Sequence, residues 1–391
     1  MKLAIVNQRY GLEVNGGSEY YTRLLAEHMA KYHEVDVLTT KAMDHDTWSN
    51  IFEQDEELIH GIKVRRFEVK KERTDAFRRI DRIRYHFPWK SRLIEKKWIY
   101  EQGPYTPDLI KYIERHTDEY DLFLFVTYLY YPAAVGIEKV RKKAIMIPTA
   151  HDEPYIYMKC YKENFTNICG LIYLTPEERG FVQGVFHNEM IPSEVVAIGV
   201  EEPVNVSPDR FREKYQLDKP YLIYAGRVEE SKGCNEMFSY YENISKELDI
   251  DLVVMGKCNM LSEIPNDSRI HMLGFVSEED KMDGISGAVA LILPSPFESL
   301  SIAVLEAMSV GTPVIVNGKC EVLRGHCHRS NGAGRYYMDE KDFKDCIIEY
   351  SRCDRDKISR KAKEYIQKEY TWESVEKKLN DFLERCTCKE D

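Results

Sequence analysis

Residues 291–316 read LILPSPFESLSIAVLEAMSVGTPVIV. The apolar runs VALILP and PVIV, which end at residues 294 and 316, have the length and composition of buried strands. Between them, the run from Ile302 to Val310 is long and apolar enough for a helix. A strand, a helix and a second strand in this order predict a βαβ unit with parallel strands.

The same alternation of short apolar runs and amphipathic stretches continues along all 391 residues. Continuous Val, Ile and Leu runs indicate strands buried on both faces, as in parallel sheets covered by helices. The predicted strands are KLAIVN, VDVLTT, LFLFV, AIMIP, GLIYLT, YLIYAG, LVVMG, IHMLG, VALILP and PVIV. The predicted helices include 17–31, 107–116, 210–215, 234–247 and 302–310. We therefore predict an α/β fold with two doubly wound, Rossmann-like domains.

The domain boundary is predicted within GVEEPVNVSP, at 199–208, because Gly, Pro and acidic residues interrupt the pattern there. This gives domains at 1–200 and 201–391, and a helix with a capped start at Thr371 ends the second one. Ligands of open α/β sheets bind beyond the carboxyl ends of the strands. We therefore expect the two parallel-sheet domains to face each other across a ligand-binding cleft.

The composition favours a folded protein without a membrane span. Hydrophobic residues make up 43% of the chain, which argues against extensive disorder. The N-terminal MKLAIVNQRYG runs from a strand into a turn and does not have the pattern of a signal peptide. Residues 122–136 are too short and too interrupted to cross a bilayer. Ten scattered cysteines fit reduced thiols, so we expect a cytoplasmic protein.

Positive charge is concentrated in one segment. Residues 61–100 hold fourteen Lys or Arg and five Asp or Glu, a balance of +9 in a chain whose net charge is −11. Apolar residues alternate with arginines at helical spacing there: Phe77, Ile80, Ile83 and Phe87 beside Arg78, Arg79, Arg82 and Arg84. Two interpretations stay open. Either this helix makes peripheral contact with an anionic membrane, or its apolar stripe packs on the N-terminal sheet and its arginines are solvated. A nucleic-acid partner is not expected, because no known reading module accompanies the charge.

Two carboxylates stand eight positions apart around the helix of the opening stretch. If both lay on one helix, Glu298 and Glu306 would be separated by about 12 Å along its axis. The two acids of a glycosidase lie within about 5 to 9.5 Å of each other. Glu298 and Glu306 are therefore expected to hold different ends of one long ligand. The alternative is structural, with Glu298 capping the helix and Glu306 solvated, but the apolar neighbours of Glu306 argue against its solvation.

A second charged motif, GRVEESKG at 226–233, follows the predicted strand YLIYAG. Arg227 leaves the strand and Lys232 stands at the start of a helix, so two cations and a helix N-terminus favour a phosphate group. The motif is not a P-loop, since its Gly-Lys-Ser/Thr ending is absent. Charged residues around an ordinary surface loop are the alternative.

Three further segments follow predicted strands. Gly16 and Gly17 let the backbone approach a ligand with its amides exposed. His151 lies just past the strand AIMIP, where the cleft is expected, and Asp152 either orients its ring or meets an acceptor. A loop histidine with a structural hydrogen bond is the alternative for His151. Phe275 and Val276 follow the predicted strand IHMLG.

Metal sites are not expected. The pairs Asp44/Asp46 and Asp249/Asp251 do not converge with other ligands, and we interpret both as structural. The spacing of Cys320, His326, Cys327 and His328 matches no standard zinc pattern.

Taken together, these motifs closely resemble family 4 of the glycosyltransferases, which are retaining enzymes of the GT-B fold. The resemblance rests on GRVEESKG, PSPFESLSIAVLEAMSVGTPVI, Gly16-Gly17-Ser18-Glu19, His151-Asp152, LGFVSEED and YTWESV. It covers nearly the whole chain. It departs from the commonest pattern at Ser299, where the family usually has Gly, so the choice of sugar is left open.

The resemblance implies that Arg227 and Lys232 neutralise the diphosphate of a nucleotide-sugar donor, so that neither metal nor cofactor is required. It also implies that Glu298 binds the transferred sugar, that Glu306 binds the ribose, and that the amides of Ser299, Leu300 and Ser301 meet sugar or phosphate oxygens. His151 would stabilise charge at the anomeric carbon. Gly226 would line the donor site with Gly16 and Gly17, and backbone groups of 274–276, including those of Phe275 and Val276, would meet the nucleotide base.

The expected protein is thus a retaining hexosyltransferase with an acceptor-binding domain at 1–200 and a donor-binding domain at 201–391, whose last helix packs back towards the first domain. The acceptor would be a glycan or a lipid-linked molecule of cell-envelope, exopolysaccharide or glycolipid biosynthesis, met at the inner face of the cytoplasmic membrane if the basic segment binds lipid. UDP, GDP and ADP donors all fit. An epimerase or phosphorylase of similar shape and a non-catalytic nucleotide-sugar binding protein are the alternatives.

Overall fold

The computed structural model describes residues 1–14, 16–86, 92–201 and 203–387. They form two compact units, one made of Met1–Ile198 with the chain from Val375 onward, and the other of Gly199–Ser374. The last helix is therefore divided between the units.

Unit 1 contains an eight-stranded sheet with the order β3-β4-β2-β1-β5-β6-β7-β8. The strands are β1 (Lys2–Val6), β2 (Glu34–Thr40), β3 (Glu56–Ile59), β4 (Ile62–Phe67), β5 (Leu122–Val126), β6 (Ala144–Ile147), β7 (Gly170–Tyr173) and β8 (Ser193–Val195). Every neighbouring pair is parallel except β3 with β4. The helices are α1 (Gly17–Met29), α2 (Asp75–His86), α3 (Arg92–Gln102), α4 (Pro107–Arg115), α5 (Tyr131–Gly136), α6 (Lys162–Thr166) and α7 (Pro176–Phe186).

Unit 2 contains a six-stranded, fully parallel sheet with the order β11-β10-β9-β12-β13-β14. The strands are β9 (Tyr221–Ala225), β10 (Asp251–Met255), β11 (Ile270–Gly274), β12 (Leu291–Leu293), β13 (Val314–Asn317) and β14 (Gly334–Tyr337). The helices are α8 (Pro208–Tyr215), α9 (Cys234–Ile244), α10 (Glu278–Gly287), α11 (Ile302–Ser309), α12 (Glu321–Arg329), α13 (Glu340–Arg352), α14 (Arg355–Glu369) and α15 (Trp372–Thr387), the last of which continues into unit 1.

Each sheet has one point at which the order of strand addition reverses. In unit 2 the chain adds β10 and β11 on one side of β9 and then returns to place β12 on the other side. The loops that follow β9 and β12 therefore lead to strands on opposite sides of this point, and the carboxyl edge of the sheet at such a point is where ligands of open α/β sheets bind. In unit 1 the corresponding strands are β1 and β5. The predicted architecture of two parallel-sheet α/β domains is confirmed.

The α15 helix packs on unit 1 through polar and apolar contacts. The Glu376 carboxylate accepts hydrogen bonds from Lys31 Nζ at 2.9 Å and Tyr32 Oη at 2.7 Å, and lies 2.5 Å from Nδ1 of His28. Burial alone would raise the pKa of Glu376, but these partners lower it to about 2. At Gly170 in β7, a Cβ would come within 2.8 Å of the Phe382 ring. A larger residue at 170 would therefore push the helix away.

The basic segment, residues 61–100, includes β4, α2 and most of α3. Phe77 lies 5.8 Å from the Trp98 ring, and both Phe77 and Ile80 pack against the core of unit 1. Arg78, Arg79 and Arg82 are exposed. The described part of the apolar stripe thus packs on the protein itself. The remainder of the predicted stripe, Ile83 and Phe87 with Arg84, lies outside the described side chains.

None of the helices in the described ranges has the length and apolar character needed to cross a membrane.

Candidate functional site

Both charged motifs of the second half lie at the point of reversal in unit 2. The loop after β9 carries 226–233, and the loop after β12 carries 294–301. Gly233 holds a left-handed conformation with φ of 75° before α9, and a Cβ there would lie 2.3 Å from the carbonyl oxygen of Pro294. Glycine at 233 is therefore what allows the two loops to touch.

Lys232 and Glu298 meet between these two loops. The Lys232 Nζ lies 2.8 Å from Oε1 of Glu298, and the two side chains are 26% and 17% exposed. Sequence reasoning assigned these residues to the phosphate and sugar parts of a ligand but did not predict their direct contact. The pair is reachable from water, so a ligand can contact both groups.

The position of Glu298 differs from the one expected. Helix α11 begins only at Ile302, with Ser301 as its N-cap residue, so Glu298 belongs to the preceding loop. The estimate of about 12 Å, which assumed a continuous helix, does not apply to the separation of Glu298 from Glu306. Glu298 is not the N-cap residue of α11 either. The right-handed helix cannot start before Ser301, because this residue has a left-handed backbone with φ of 69°.

Arg227 turns to another acid of its own loop. Its guanidinium lies 3.2 Å from the Glu229 carboxylate, and the side chain is 48% exposed. The backbone carbonyl of Arg227 accepts a hydrogen bond of 2.6 Å from Tyr224 Oη, which ties the loop to β9 just before Gly226. Sequence reasoning missed Glu229, although an acid two positions from a predicted phosphate ligand is a readable sign of an internal ion pair.

Glu306 is buried inside α11, with 9% of its surface exposed. Its Oε1 accepts a hydrogen bond of 2.9 Å from Lys281 Nζ, and Lys281 also lies 2.8 Å from Glu278. Burial raises the pKa of the Glu306 carboxyl, and Lys281 opposes this rise. Burial would lower the pKa of Lys281, but Glu306 and Glu278 outweigh it and the pKa is raised. The expectation that Glu306 is not solvated agrees with its burial. The sequence did not predict that Lys281 would be its partner.

The peptide groups between Glu298 and α11 have an unusual conformation. Ser301 adopts a left-handed backbone with φ of 69°, and Leu300 is buried. The carbonyl of Leu300 is held at 2.6 Å by Nε2 of His326. His326 is thus part of the interior of unit 2 and not of a surface cluster with Cys320 and His328. In the loop after β11, Phe275 is 66% exposed and Val276 lies beside it.

In unit 1, Glu19 of the Gly16–Glu19 motif forms hydrogen bonds with neighbouring residues of the same unit. The Glu19 carboxylate accepts hydrogen bonds from Arg9 at 2.7 Å, Gln8 at 2.9 Å and Ser18 at 2.8 Å. A Cβ at Gly16 would lie 2.1 Å from Oε2 of Glu19, so the glycine is required by this carboxylate. At Gly17 a Cβ would meet nothing within 4 Å, so no steric need for glycine exists there.

His151 follows β6, and its side chain is 32% exposed. The acid beside it is Glu153, whose Oε2 lies 3.6 Å from Nε2 of His151. Asp152 instead accepts a hydrogen bond of 2.7 Å from Tyr157 Oη. Asp152 is therefore engaged by Tyr157, and the suggestion that it orients the His151 ring stays a prediction.

A buried acid lies behind this loop. Glu178 accepts hydrogen bonds of 2.6 Å from the backbone amides of Ala150 and Leu174, at the ends of β6 and β7. Burial raises the pKa of Glu178 to about 8, although the two amides oppose this. Glu178 therefore holds the backbone that carries His151, a role that no sequence pattern announced.

The residues considered as metal ligands do not assemble. Asp44 accepts from the amides of Asp46 and Thr47, as in an ordinary turn, and Asp251 pairs with His271 at 2.8 Å. Across the described ranges, no three His, Cys, Asp or Glu side chains come together as a metal site would require.

Comparison with known proteins places this site in a family context. Residues 206–369 match the family model described as Glycosyl transferases group 1. An uncharacterised glycosyltransferase of Methanocaldococcus jannaschii is 26% identical over 53% of this chain and 54% of its own length. The alpha-D-kanosaminyltransferase of Streptomyces kanamyceticus is 31% identical over 27% of this chain and 31% of its own. The matched parts thus span about half and a third of these two relatives.

Solved structures resemble the chain over nearly its whole length. The sucrose-phosphate synthase of Thermosynechococcus elongatus has a TM-score of 0.75 at 16% identity, with 98% of both chains covered. HepE of Anabaena, solved in complex with UDP-glucose, has a TM-score of 0.70 at 13% identity over 98% of this chain and 100% of its own. WaaG, described as a glycosyltransferase involved in lipopolysaccharide biosynthesis, has a TM-score of 0.62 at 14% identity over 97% and 99%. The chain therefore has the GT-B fold, and its residues 206–369 are similar to the glycosyl transferases group 1 family.

Proposed function

We propose that the protein is a retaining glycosyltransferase of family 4, which transfers a sugar from a nucleotide-diphosphate donor without a metal ion. The observation that carries this proposal is the contact of 2.8 Å between Lys232 and Glu298 at the point of reversal in unit 2. In a nucleotide-sugar, the phosphate is bonded directly to the transferred ring. A cation for the phosphate and an acid for the sugar hydroxyls must therefore be neighbours, as these two residues are.

In the proposed reaction, the bond between the anomeric carbon and the outer phosphate oxygen breaks, and the nucleoside diphosphate leaves with the electron pair. Lys232 and Arg227 stabilise the negative charge that develops on this leaving group, the role that a metal ion has in other transferases. Glu298 accepts hydrogen bonds from the sugar, and Glu306 from the ribose. An acceptor hydroxyl attacks on the face that the phosphate leaves, and its proton passes to the departing phosphate.

His151 and Glu178 supply the unit 1 part of the proposal. The half-exposed His151 lies at the carboxyl end of β6, where ligands of such sheets bind. We propose that it faces the anomeric carbon and that unit 1 binds the acceptor, a glycan or a lipid-linked molecule of a cell-envelope or polysaccharide pathway. Glu178 fixes the amide next to His151 and so sets its position.

Several findings support a nucleotide-sugar donor. The group 1 family match covers both charged loops of unit 2, and HepE, which shares the fold, was solved with UDP-glucose. The name of the Streptomyces relative describes transfer of a sugar.

The test is a thermal-shift screen with UDP-, GDP- and ADP-sugars, followed by analysis of the products. A donor present at 100 times its Kd should stabilise the fold by about 2.7 kcal/mol. The preferred donor should then be consumed, with formation of nucleoside diphosphate and a glycoside of unchanged anomeric configuration, as measured by NMR. Binding without turnover for a panel of glycan and lipid-linked acceptors would favour the non-catalytic alternative. An epimerised free sugar would favour the epimerase.

A further inference from the structure

His326 occupies a fully buried position in α12 and bonds on both sides of its ring. Its exposed fraction is 0%. Nε2 lies 2.6 Å from the carbonyl oxygen of Leu300, and Nδ1 lies 2.8 Å from Oη of Tyr365. Tyr365 Oη in turn lies 2.9 Å from Oη of Tyr370 and 3.3 Å from Nε of Arg329. A chain of hydrogen bonds thus runs from α14 through the histidine to the loop before α11.

The chemistry of these partners fixes the protonation of the ring. A backbone carbonyl only accepts, so Nε2 of His326 carries the hydrogen, and Nδ1 must accept from the Tyr365 hydroxyl. Burial, and then Arg329, lower the pKa of His326 to about 3, so the ring is neutral. The neutral ring has one donor and one acceptor. Both are used, which leaves His326 no capacity for a metal or a proton-transfer role.

The bond to Leu300 has a consequence for the neighbouring amide. The Leu300 carbonyl and the Ser301 N–H belong to one peptide group, and in a trans peptide these two groups point in opposite directions. Because His326 draws the carbonyl into the interior of unit 2, the Ser301 N–H is directed away from that interior at the start of α11. Ser301 also has a φ of 69°, which a serine adopts only when its surroundings impose it.

We propose that His326 is a positioning residue that holds the Leu300–Ser301 peptide so that the Ser301 amide donates to the diphosphate of the bound donor. This inference rests on the proposed function, because it assigns the anion at this loop to a nucleotide-sugar. The amide lies three residues from Glu298, whose partner is Lys232. The phosphate would therefore receive a hydrogen bond from Ser301 and the charge of Lys232 from neighbouring parts of one loop pair.

The experiment compares the binding of UDP and of uridine, or of the matching pair for the preferred base, by calorimetry. His326→Phe keeps a ring in the cavity but cannot donate to Leu300. Its affinity for UDP should fall about ten- to a hundredfold, the range for a hydrogen bond to a charged group. Its affinity for uridine, which has no phosphate, should stay within about twofold of the wild type. His326→Gln retains an N–H at the end of the side chain and should recover most of the loss.

Other outcomes contradict the proposal. Equal weakening of UDP and uridine in His326→Phe would mean a general structural role, and unchanged UDP binding would mean no role at the site. If His326→Phe does not fold, Tyr365→Phe removes only the hydroxyl that selects the ring tautomer. It should weaken UDP by about threefold and leave uridine unchanged; no effect on UDP would then overturn the proposal. A wild type that binds none of UDP, GDP and ADP would contradict the proposed function itself, whereas wild-type binding that His326→Phe preserves would contradict only the role of His326.

Discussion

Each unit contains an ion pair of nearly the same length, but the pair in unit 1 is buried and the pair in unit 2 is partly accessible to solvent. Arg9, in the loop after β1, and Glu19, in the first turn of α1, are 2.7 Å apart with 9% and 5% of their side chains exposed. Lys232 and Glu298, in unit 2, are 2.8 Å apart with 26% and 17% exposed. Glu19, Lys232 and Glu298 lie in motifs that the sequence predicts to bind a ligand.

The difference in solvent exposure indicates which of these charged residues can leave its ion-pair partner and bind a ligand instead. Removing one member of a buried pair leaves an uncompensated charge and costs about 3 to 5 kcal/mol, whereas a solvent-reachable pair contributes about 0 to 1 kcal/mol. Arg9 and Glu19 are thus committed to the loop that they hold. Lys232 and Glu298 can turn to a ligand at little cost to stability, so activity and stability should respond to different substitutions in the two units.

The largest expected effect is on catalysis in unit 2. If the proposed function is correct, Lys232→Ala and Glu298→Gln should each lower kcat/KM for sugar transfer by about 10²- to 10³-fold, because each removes a group that the proposed mechanism assigns to the donor. The Tm of both variants should stay within about 3 °C of the wild type, since a solvent-reachable pair adds little stability. Lys319→Ala is the matched control, as it breaks an exposed pair of 3.0 Å with Glu236 in the same unit. Near-normal turnover in both test variants would remove the basis of the assignment.

The reverse pattern is expected in unit 1. Arg9→Met should lower the free energy of unfolding by about 3 kcal/mol, because Glu19 is left charged and buried. Urea denaturation measures this change, and Arg78→Met, at a side chain that is 75% exposed, serves as the control. UDP affinity of the folded variant should match the wild type. A stable Arg9→Met protein with weak donor binding would contradict the prediction that the Arg9–Glu19 pair affects stability and the Lys232–Glu298 pair affects donor binding.

A smaller effect should distinguish the two acids of unit 2. In Lys281→Met, nothing offsets the burial of Glu306, so its pKa rises further. Donor affinity should fall about tenfold and recover as the pH is raised and the carboxyl ionises again. Titration calorimetry between pH 6 and 9 measures this, and Lys281→Arg, which keeps the charge, should behave like the wild type. A loss that does not depend on pH would show that Lys281 acts in another way.

The smallest effect concerns α2. Since Phe77 and Ile80 pack on the core, replacing Arg78, Arg79 and Arg82 with Glu should change sedimentation with anionic vesicles by less than about twofold. Salt-sensitive binding that this variant abolishes would instead support contact with a membrane surface. It would also make α2, and not the Arg9–Glu19 pair, the charged region of unit 1 that meets a partner.

The sequence predicted features that depend on local pattern. Ten strands follow from their continuous apolar runs, whereas β8 and β14, like β3 and β4, were not predicted. The burial of Glu306 follows from Leu305 and Ala307 around it. The β3–β4 hairpin escaped prediction because polar residues such as Glu57 and Lys63 give it no apolar run.

Contacts between distant residues were not predictable in the same way. Lys281 with Glu306, and His326 with Leu300, join residues 25 and 26 positions apart. No periodicity encodes such a distance. The first residue of α11, Ile302, was also not predictable from the sequence, and the structure was needed to show that Glu298 lies in the preceding loop.

The placement of α15 has a consequence for the order in which the protein is made. Unit 1 begins with Met1 but is closed by Glu376 and Phe382, so all of Gly199–Ser374 must leave the ribosome first. At common rates of synthesis, this delay is on the order of 10 s. Unit 2 is continuous and can complete its sheet during that time. Until α15 arrives, the surface around Gly170 remains open, which makes the nascent first unit a candidate for chaperone binding.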